Sequence, residues 1–363
     1  MKSVRVSVLG GGNGGQTLSA HLAIKGCEVN LFEHPKFKEN IKKVIKKGGI
    51  ELTGALGGIG KISVATTNIE EAIKGTSVIF VVAPSFAQQE LIKLALPYLE
   101  NTQIIFLIPG NFGSFEIKKM LRDAGIKKNI KVAETNSLPY ACRKIESGKI
   151  DVWGVKSHIS IAALPALDSQ YVIKILKNIF PISLNFAKNV LEIGFSNPNM
   201  IIHSPTMILN AGRIESTKGN FMFYHDGMTE SVCRIMEVMD EERIKIGIKL
   251  GLNLISIFKY SKETYGFKGE NLYEVLSGSS IHSRHGPDAP SSLAHRYITE
   301  DVPYLLVPVA SFARLLGIKI PIIECIIKLA SSINNKDYFK TGRNLETLGL
   351  SEMKIEEILT YIS

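Results

Sequence analysis

The alternation of apolar and polar positions divides the chain into two halves. In the first, short β-branched or wholly apolar runs alternate with stretches of helical spacing. Residues 4–9 (VRVSVL) open the series, and 28–32 (EVNLF), 77–83 (SVIFVVA), 103–108 (QIIFLI) and 131–134 (KVAE) continue it. Runs such as 77–83 lack polar alternation, as expected of strands covered on both faces of a parallel sheet. Residues 16–25 have helical character and close at Gly26, a natural C-cap. Residues 152–155 and 159–164 predict an antiparallel pair extending the same sheet, and 170–180 predict a helix. Strand and helix thus alternate over residues 1–186, the pattern of a doubly wound α/β domain.

Past residue 187 the strand signature stops. Residues 187–194, 206–215, 229–252, 302–316 and 321–332 all have helical length and spacing, and neither a strand nor an internal repeat is read there. An all-helical domain is therefore predicted over 187–363. Its Gly- and Ser-rich interruption, 277–292, reads as a long active-site loop. Between the halves lies NPNMIIHSPTMILNAGRIE (197–215), which sets His203 between Pro198 and Pro205. Proline has no N–H to donate and a fixed φ. Pro205 therefore predicts that His203 sits at a backbone break, ahead of a helix, instead of inside a longer one.

The first apolar run leads directly into Gly10-Gly11-Gly12-Asn13-Gly14-Gly15. The spacing Gly10-x-Gly12-x-x-Gly15, with a strand before and a helix after, is the dinucleotide fingerprint. Gly10 allows the tight turn, Gly12 lets the backbone approach a pyrophosphate, and Gly15 lets helix and strand pack closely. The pyrophosphate is expected on the free N–H groups of Gly12, Asn13, Gly14 and Gly15 at the helix N-terminus. Glu33 closes the second run about 18 residues beyond Gly15, where an acidic side chain takes the ribose hydroxyls. This makes the N-terminal half a Rossmann sheet. Glu33 favours NAD(H), because a carboxylate repels a 2′-phosphate. NADP(H) stays open, since His34, Lys36 and Lys38 follow at once. Pro84, after the 77–83 run, is expected in a loop over the nicotinamide-side ribose.

Composition narrows the class. Apolar residues make up 45% and charged residues 21%, ordinary values for a soluble globular enzyme. The net charge of +9 is scattered, and its densest group, Lys36, Lys42, Lys43, Lys46 and Lys47, has no interleaved aromatics, so a solvated face is read there in place of a nucleic-acid surface. The four cysteines, Cys27, Cys142, Cys233 and Cys325, never form CxxC, which points to neither a disulfide framework nor a metal site. No signal peptide or bilayer-length apolar run is read, so a cytoplasmic protein is expected.

Candidate chemistry lies around His203 and in AHRYITEDVPY (294–304). Moving hydride to or from a carbon bearing oxygen or nitrogen needs an acid/base, a group that orients it, and a cation for a substrate carboxylate. Imidazole titrates near neutral pH, so His203 suits the first role. Asp301 suits the second, by fixing the tautomer. Arg296 suits the third, because its planar fork matches a carboxylate. Glu134, near the carboxyl end of the sheet, and Asn197, beside the histidine, are further candidate substrate contacts. A structural histidine and an ordinary helix start over 296–301 remain open alternatives.

Three segments, NPNMIIHSPTMILNAGRIE, FYHDGMTESVCRIMEVMDEER (223–243) and RYITEDVPYLLVP (296–308), together with GGGNGG and ETNSLPYACR (134–143), resemble the octopine/nopaline (opine) dehydrogenase family over nearly the whole chain. The resemblance implies a Rossmann domain followed by an all-helical substrate domain. It also implies NAD(P)H-dependent reductive condensation of an amino acid with an α-keto acid such as pyruvate. By motif, the catalytic histidine falls on His203, its carboxylate partner on Asp301 and the keto-acid anchor on Arg296. The alternative is a 2-hydroxy-acid or ketopantoate-type dehydrogenase on the same plan. A non-catalytic nucleotide sensor would bind the dinucleotide without turnover. Small-molecule substrates are the expected partners, with no metal, and a homodimer is compatible with these features.

Overall fold

The computed structural model describes residues 4–266, 268–278 and 286–363. Among these described residues twelve strands run in chain order: β1 (Arg5–Leu9), β2 (Glu28–Phe32), β3 (Gly49–Gly54), β4 (Gly58–Lys61), β5 (Val64–Thr66), β6 (Val78–Val81), β7 (Ile104–Leu107), β8 (Lys131–Thr135), β9 (Tyr140–Glu146), β10 (Lys149–Val155), β11 (His158–Leu164) and β12 (Ser183–Phe186). The chain divides into two units, Met1–Ile193 with Thr360–Ser363, and Gly194–Leu359. The two units meet at 193/194, and the last four residues belong with the first unit. The Val190–Phe195 helix carries the chain across the division without a loop that composition could flag.

In the first unit, eight strands form one sheet in the order β12-β11-β8-β7-β6-β1-β2-β5. β1 pairs in parallel with β2 on one side and β6 on the other, so the winding reverses at β1, where ligands of such sheets bind at the strands' carboxyl ends. The unbroken apolar runs have a direct explanation. Val78, Phe80, Ile104 and Phe106 enter one core, while Ile79, Val81, Ile105 and Leu107 enter the other. Both faces are covered, so neither of these two strands presents a residue to solvent. Each such side chain contributes about 1.5–3 kcal/mol when removed from water.

The 152–155 run departs from expectation. β10 leaves the main sheet and joins a second one, ordered β4-β3-β10-β9. Its residues alternate, with Ile150 and Val152 buried and Trp153 exposed, a one-sided pattern that a sheet covered on one face produces. The second sheet lies on the Asn13–Ile24 helix, so closely that a Cβ at Gly60 would come within 2.4 Å of the Ala20 Cα. β11 does extend the main sheet, antiparallel to β8.

The second unit is helical, and no strand occurs among its described residues. Its longest helix, Glu230–Lys249, carries a buried ion pair that ties three segments together. Arg243 donates to Asp240 Oδ1 and to the Phe195 and Ile255 carbonyls, while Asp240 Oδ2 accepts from Ile257 N. Part of the expected 277–292 loop, residues 279–285, lies outside the described residues.

Candidate active site

The glycine loop joins β1 to the Asn13–Ile24 helix, and each glycine meets a different constraint. Gly10 has φ +114°, and a Cβ there would lie 2.3 Å from the Val82 carbonyl oxygen. A Cβ at Gly15 would come within 1.7 Å of the Gly10 oxygen, so helix and strand could not approach as they do. At Gly14 a Cβ would meet the Leu138 side chain at 2.9 Å. Gly12, at the helix N-cap, differs: a Cβ there meets nothing within 4 Å. The space in front of Gly12 is open, and the first-turn N–H groups of Asn13, Gly14 and Gly15 have no partner within a helix's own ladder. Together with the dipole of a twelve-residue helix, this cradle suits a pyrophosphate.

Glu33 ends β2 beside the loop and is buried. Its carboxylate accepts from Gly11 N (3.2 Å), His34 N (2.8 Å) and Asn40 Nδ2 (2.8 Å). Lys144 on β9 reaches the same cluster. Its backbone N donates to Asn13 Oδ1 at 3.3 Å, and its ammonium donates to Asn40 Oδ1. Burial lowers the Lys144 pKa, while the Glu33 charge opposes that shift. Nothing in the composition of 140–146 pointed to this placement, because it depends on the second sheet. Pro84 forms the N-cap of the Ser85–Ala95 helix, where its carbonyl accepts from Ala87 N.

In the helical unit, His203 does not sit at a break. The Asn199–Leu209 helix runs through it with Pro205 inside. Pro205 removes only the N–H that would bond Ile201, and the next turn is held by Thr206 Oγ1 donating to Ile202 O at 2.6 Å. Burial of Met200, Ile201, Pro205 and Met207 offsets the lost bond. Asn197 shapes this helix's start, since its Oδ1 accepts from Asn199 N at 3.0 Å, and its side chain is buried. Glu134 is likewise fully buried, and its Oε2 accepts from Ser114 N at 2.9 Å. That acceptor stands at the first turn of the Gly113–Asp123 helix, where backbone N–H groups lack partners in the helix's own ladder.

The imidazole of His203 is enclosed. Nδ1 lies 2.7 Å from Asp301 Oδ2, Nε2 lies 3.0 Å from the Tyr224 hydroxyl, and the Tyr297 ring stacks on its face at 3.8 Å. The Tyr224 and Tyr297 hydroxyls are 3.3 Å apart. Asp301, buried, directly precedes a π-helical turn, Val302–Leu306, in a stretch where Pro303 and Pro308 take two N–H donors out of the ladder. Arg296 lies one helical turn before Asp301. It pairs with the buried Glu300 at 2.7 Å while 53% of its side chain stays exposed. His295 caps the same short helix and stands edge-on to Tyr297 at 4.5 Å. Burial, with the Arg296 and His203 charges, pushes its pKa down to about 4. The structure thus brings His203, Asp301 and Arg296 into one neighbourhood and adds Tyr224, Tyr297 and Glu300, which sequence reasoning gave no role. All three lie inside the FYHDG and RYITED segments. Their contacts, however, join segments far apart in the chain, as where Tyr297 stacks on His203.

Comparison with known proteins bears on the chemistry. Residues 186–334 match the family model of the NAD/NADP octopine/nopaline dehydrogenase alpha-helical domain, and residues 5–133 match that of the NAD-dependent glycerol-3-phosphate dehydrogenase N-terminus. An opine dehydrogenase of Arthrobacter sp. (strain 1C) is 33% identical over 97% of this chain and 96% of its own length. The chain belongs to the opine dehydrogenase family. A second member, the vitopine synthase of Allorhizobium ampelinum, is 27% identical over 95% of both chains. A solved octopine dehydrogenase in complex with NADH and agmatine superposes with a TM-score of 0.80 at 22% identity, covering 99% of this chain and 98% of its own. This family member is therefore an NAD(P)-dependent oxidoreductase with a Rossmann-type N-terminal sheet and a helical C-terminal domain. No helix among its described residues is long and apolar enough to cross a membrane, and none of their His, Cys, Asp and Glu side chains form a metal-binding group of three.

Proposed function

We propose that His203, Asp301 and Arg296 carry the reductive condensation of an amino acid with an α-keto acid such as pyruvate, at the expense of NADH. The observation that carries this reading is the buried 2.7 Å pair between His203 and Asp301, with the half-exposed Arg296 side chain one turn away. Asp301 accepts the Nδ1 proton and leaves Nε2 as the working nitrogen. Arg296 binds the keto-acid carboxylate with the part of its fork that Glu300 leaves open, and Glu300 orients that fork. His203 then takes and returns protons as the amine adds to the carbonyl and water leaves.

Gly10, Gly12, Asn13, Gly14, Gly15, Glu33 and Pro84 are the residues assigned to the dinucleotide, which when bound supplies the hydride. NADH is favoured by Glu33, and NADPH is admitted by the cations beside it. We also assign the enzyme to the cytoplasm, acting on free metabolites, with a homodimer as its assembly. Solved octopine dehydrogenases that share this fold hold NADH with L-arginine and NADH with pyruvate, which supports the amine-plus-keto-acid reading over a hydroxy-acid dehydrogenase.

The test is NADH and NADPH oxidation by the purified protein with pyruvate, with and without a pool of amino acids. Oxidation that needs both substrates is the expected outcome, and dividing the pool identifies the amine donor. Oxidation with the keto acid alone would reassign the protein as a hydroxy-acid dehydrogenase. In parallel, His203→Ala is expected to lower kcat by roughly 10²- to 10⁴-fold with the fold intact, and full activity in that variant would remove His203 from the mechanism.

A further inference from the structure

The acid/base reading of His203 leaves a question of access. Its Nδ1 is occupied by Asp301, one face by the Tyr297 ring, and its Nε2 by the Tyr224 hydroxyl. The imidazole is 8% exposed, whereas Tyr224 is half-buried and reaches solvent. Tyr224 is also held in place. Its loop is fixed by Phe223 N donating to Asp288 Oδ1 (2.7 Å), by Met222 N donating to Asp226 Oδ2 (3.0 Å), and by Asn210 Nδ2 donating to Gly227 O (2.8 Å). The ring of the buried Phe223 packs edge-on against it at 5.2 Å. Swinging the phenol aside would break an aromatic contact inside an anchored loop.

We propose that Tyr224 is a catalytic residue that relays protons between His203 Nε2 and the substrate. This rests on His203 being the acid/base. In the resting state Asp301 accepts the Nδ1 proton, so neutral His203 presents a lone pair at Nε2 and the Tyr224 O–H donates to it. In the dehydration step the imidazolium Nε2–H breaks as a Tyr224 O–H forms. The phenol's own O–H breaks as the proton passes to the hydroxyl of the amine–keto-acid adduct. The adduct's C–O bond then breaks, water leaves, and the nitrogen lone pair closes the C=N bond. The imidazole ends neutral, the phenol is regenerated, and no oxidant or reductant enters this step. Deprotonating the incoming amine runs the same path in reverse. The Tyr297 hydroxyl, 3.3 Å from that of Tyr224, accepts or donates at the second site of the phenol oxygen and keeps the relay oriented.

The experiment compares Tyr224→Phe, Tyr297→Phe and His203→Ala with the full-length wild-type protein, following NADH oxidation with the active substrate pair in mixtures of H₂O and D₂O. Tyr224→Phe removes one oxygen and keeps the ring that packs on Phe223, and circular dichroism checks that the fold is kept. The expected result is a kcat lowered roughly 10- to 100-fold, short of the loss from removing the acid/base itself because His203 remains in place. KM for both substrates should stay within about threefold of wild type. The dependence of kcat on deuterium fraction should change from curved, for two protons in flight, to linear, for one. A kcat within twofold of wild type, an increase in kcat, or an unchanged curvature would overturn the relay. Full activity of His203→Ala would instead sink the reading beneath it, so the two failures are distinguishable. Tyr297→Phe should lower kcat less than Tyr224→Phe, and the reverse order would overturn the assignment.

Discussion

The glycine loop allows stability and cofactor affinity to be separated by substitutions three residues apart. Gly12 has φ −76° and ψ −168°, values open to any residue, and a Cβ there meets nothing within 4 Å. Gly12→Ala gives up the modest preference of an N-cap for glycine over alanine, a fraction of about 1 kcal/mol. It regains about 0.4–1 kcal/mol from the reduced entropy of the unfolded chain. The net change in stability should lie within about 1 kcal/mol of zero. At Gly15 a Cβ would sit 1.7 Å from a backbone oxygen, and no side chain can yield to make room, so the helix must move off β1. Gly15→Ala should cost about 3 kcal/mol or more. Affinity should follow the opposite logic, because the Gly12 methyl fills the space assigned to the pyrophosphate. Gly12→Ala is expected to bind NADH at least about tenfold more weakly, a loss of about 1.4 kcal/mol. Thermal or urea unfolding of both variants, with fluorescence titration of NADH into Gly12→Ala, measures each term. A Gly12→Ala protein that binds NADH like wild type, or that unfolds as readily as Gly15→Ala, would refute the reasoning.

Three further outcomes are expected. Asp301→Asn keeps the shape of the buried partner but lets an amide N–H face Nδ1, which favours the wrong tautomer and leaves the imidazolium without a counter-charge. Its kcat should fall roughly 10²- to 10⁴-fold, and a value within threefold of wild type would remove Asp301 from the dyad. Lys144→Met removes the ammonium that offsets Glu33, so kcat/KM for NADPH relative to NADH should drop by about tenfold, and an unchanged ratio would show that Lys144 does not read the 2′ position. His295 has a folded pKa near 4 against an ordinary 6.5. Between those values the unfolded chain binds a proton that the folded chain refuses, so this group makes stability fall as pH drops through that window. His295→Asn keeps a capping side chain and should flatten that slope between pH 7 and 5 in urea unfolding, whereas NMR titration of His295 at its ordinary value would contradict the argument.

The order and type of the main elements were legible because they rest on local physics. Unbroken apolar runs over 77–83 and 103–108 require two-sided burial, and the strand–glycine–helix sequence at 4–25 requires a tight turn. The helical rhythm after residue 187 is equally local, as are the motifs that single out His203, Asp301 and Arg296. Tertiary structure decided the rest. Pro205 is a helix breaker by local rules, yet burial of the Asn199–Leu209 helix outweighs one missing hydrogen bond. Glu134 and Asn197 have the polarity of ligands, and packing sets each beside a helix start, where its side-chain oxygen accepts a backbone N–H. The second sheet assembles from two hairpins separated by roughly eighty residues, and only that assembly carries Lys144 to the glycine loop. The seal around His203 by Tyr224 and Tyr297 likewise joins segments distant in sequence. A chain states which residues have which chemistry. Which of them meet depends on long-range packing, whose free energy no window of neighbouring residues contains.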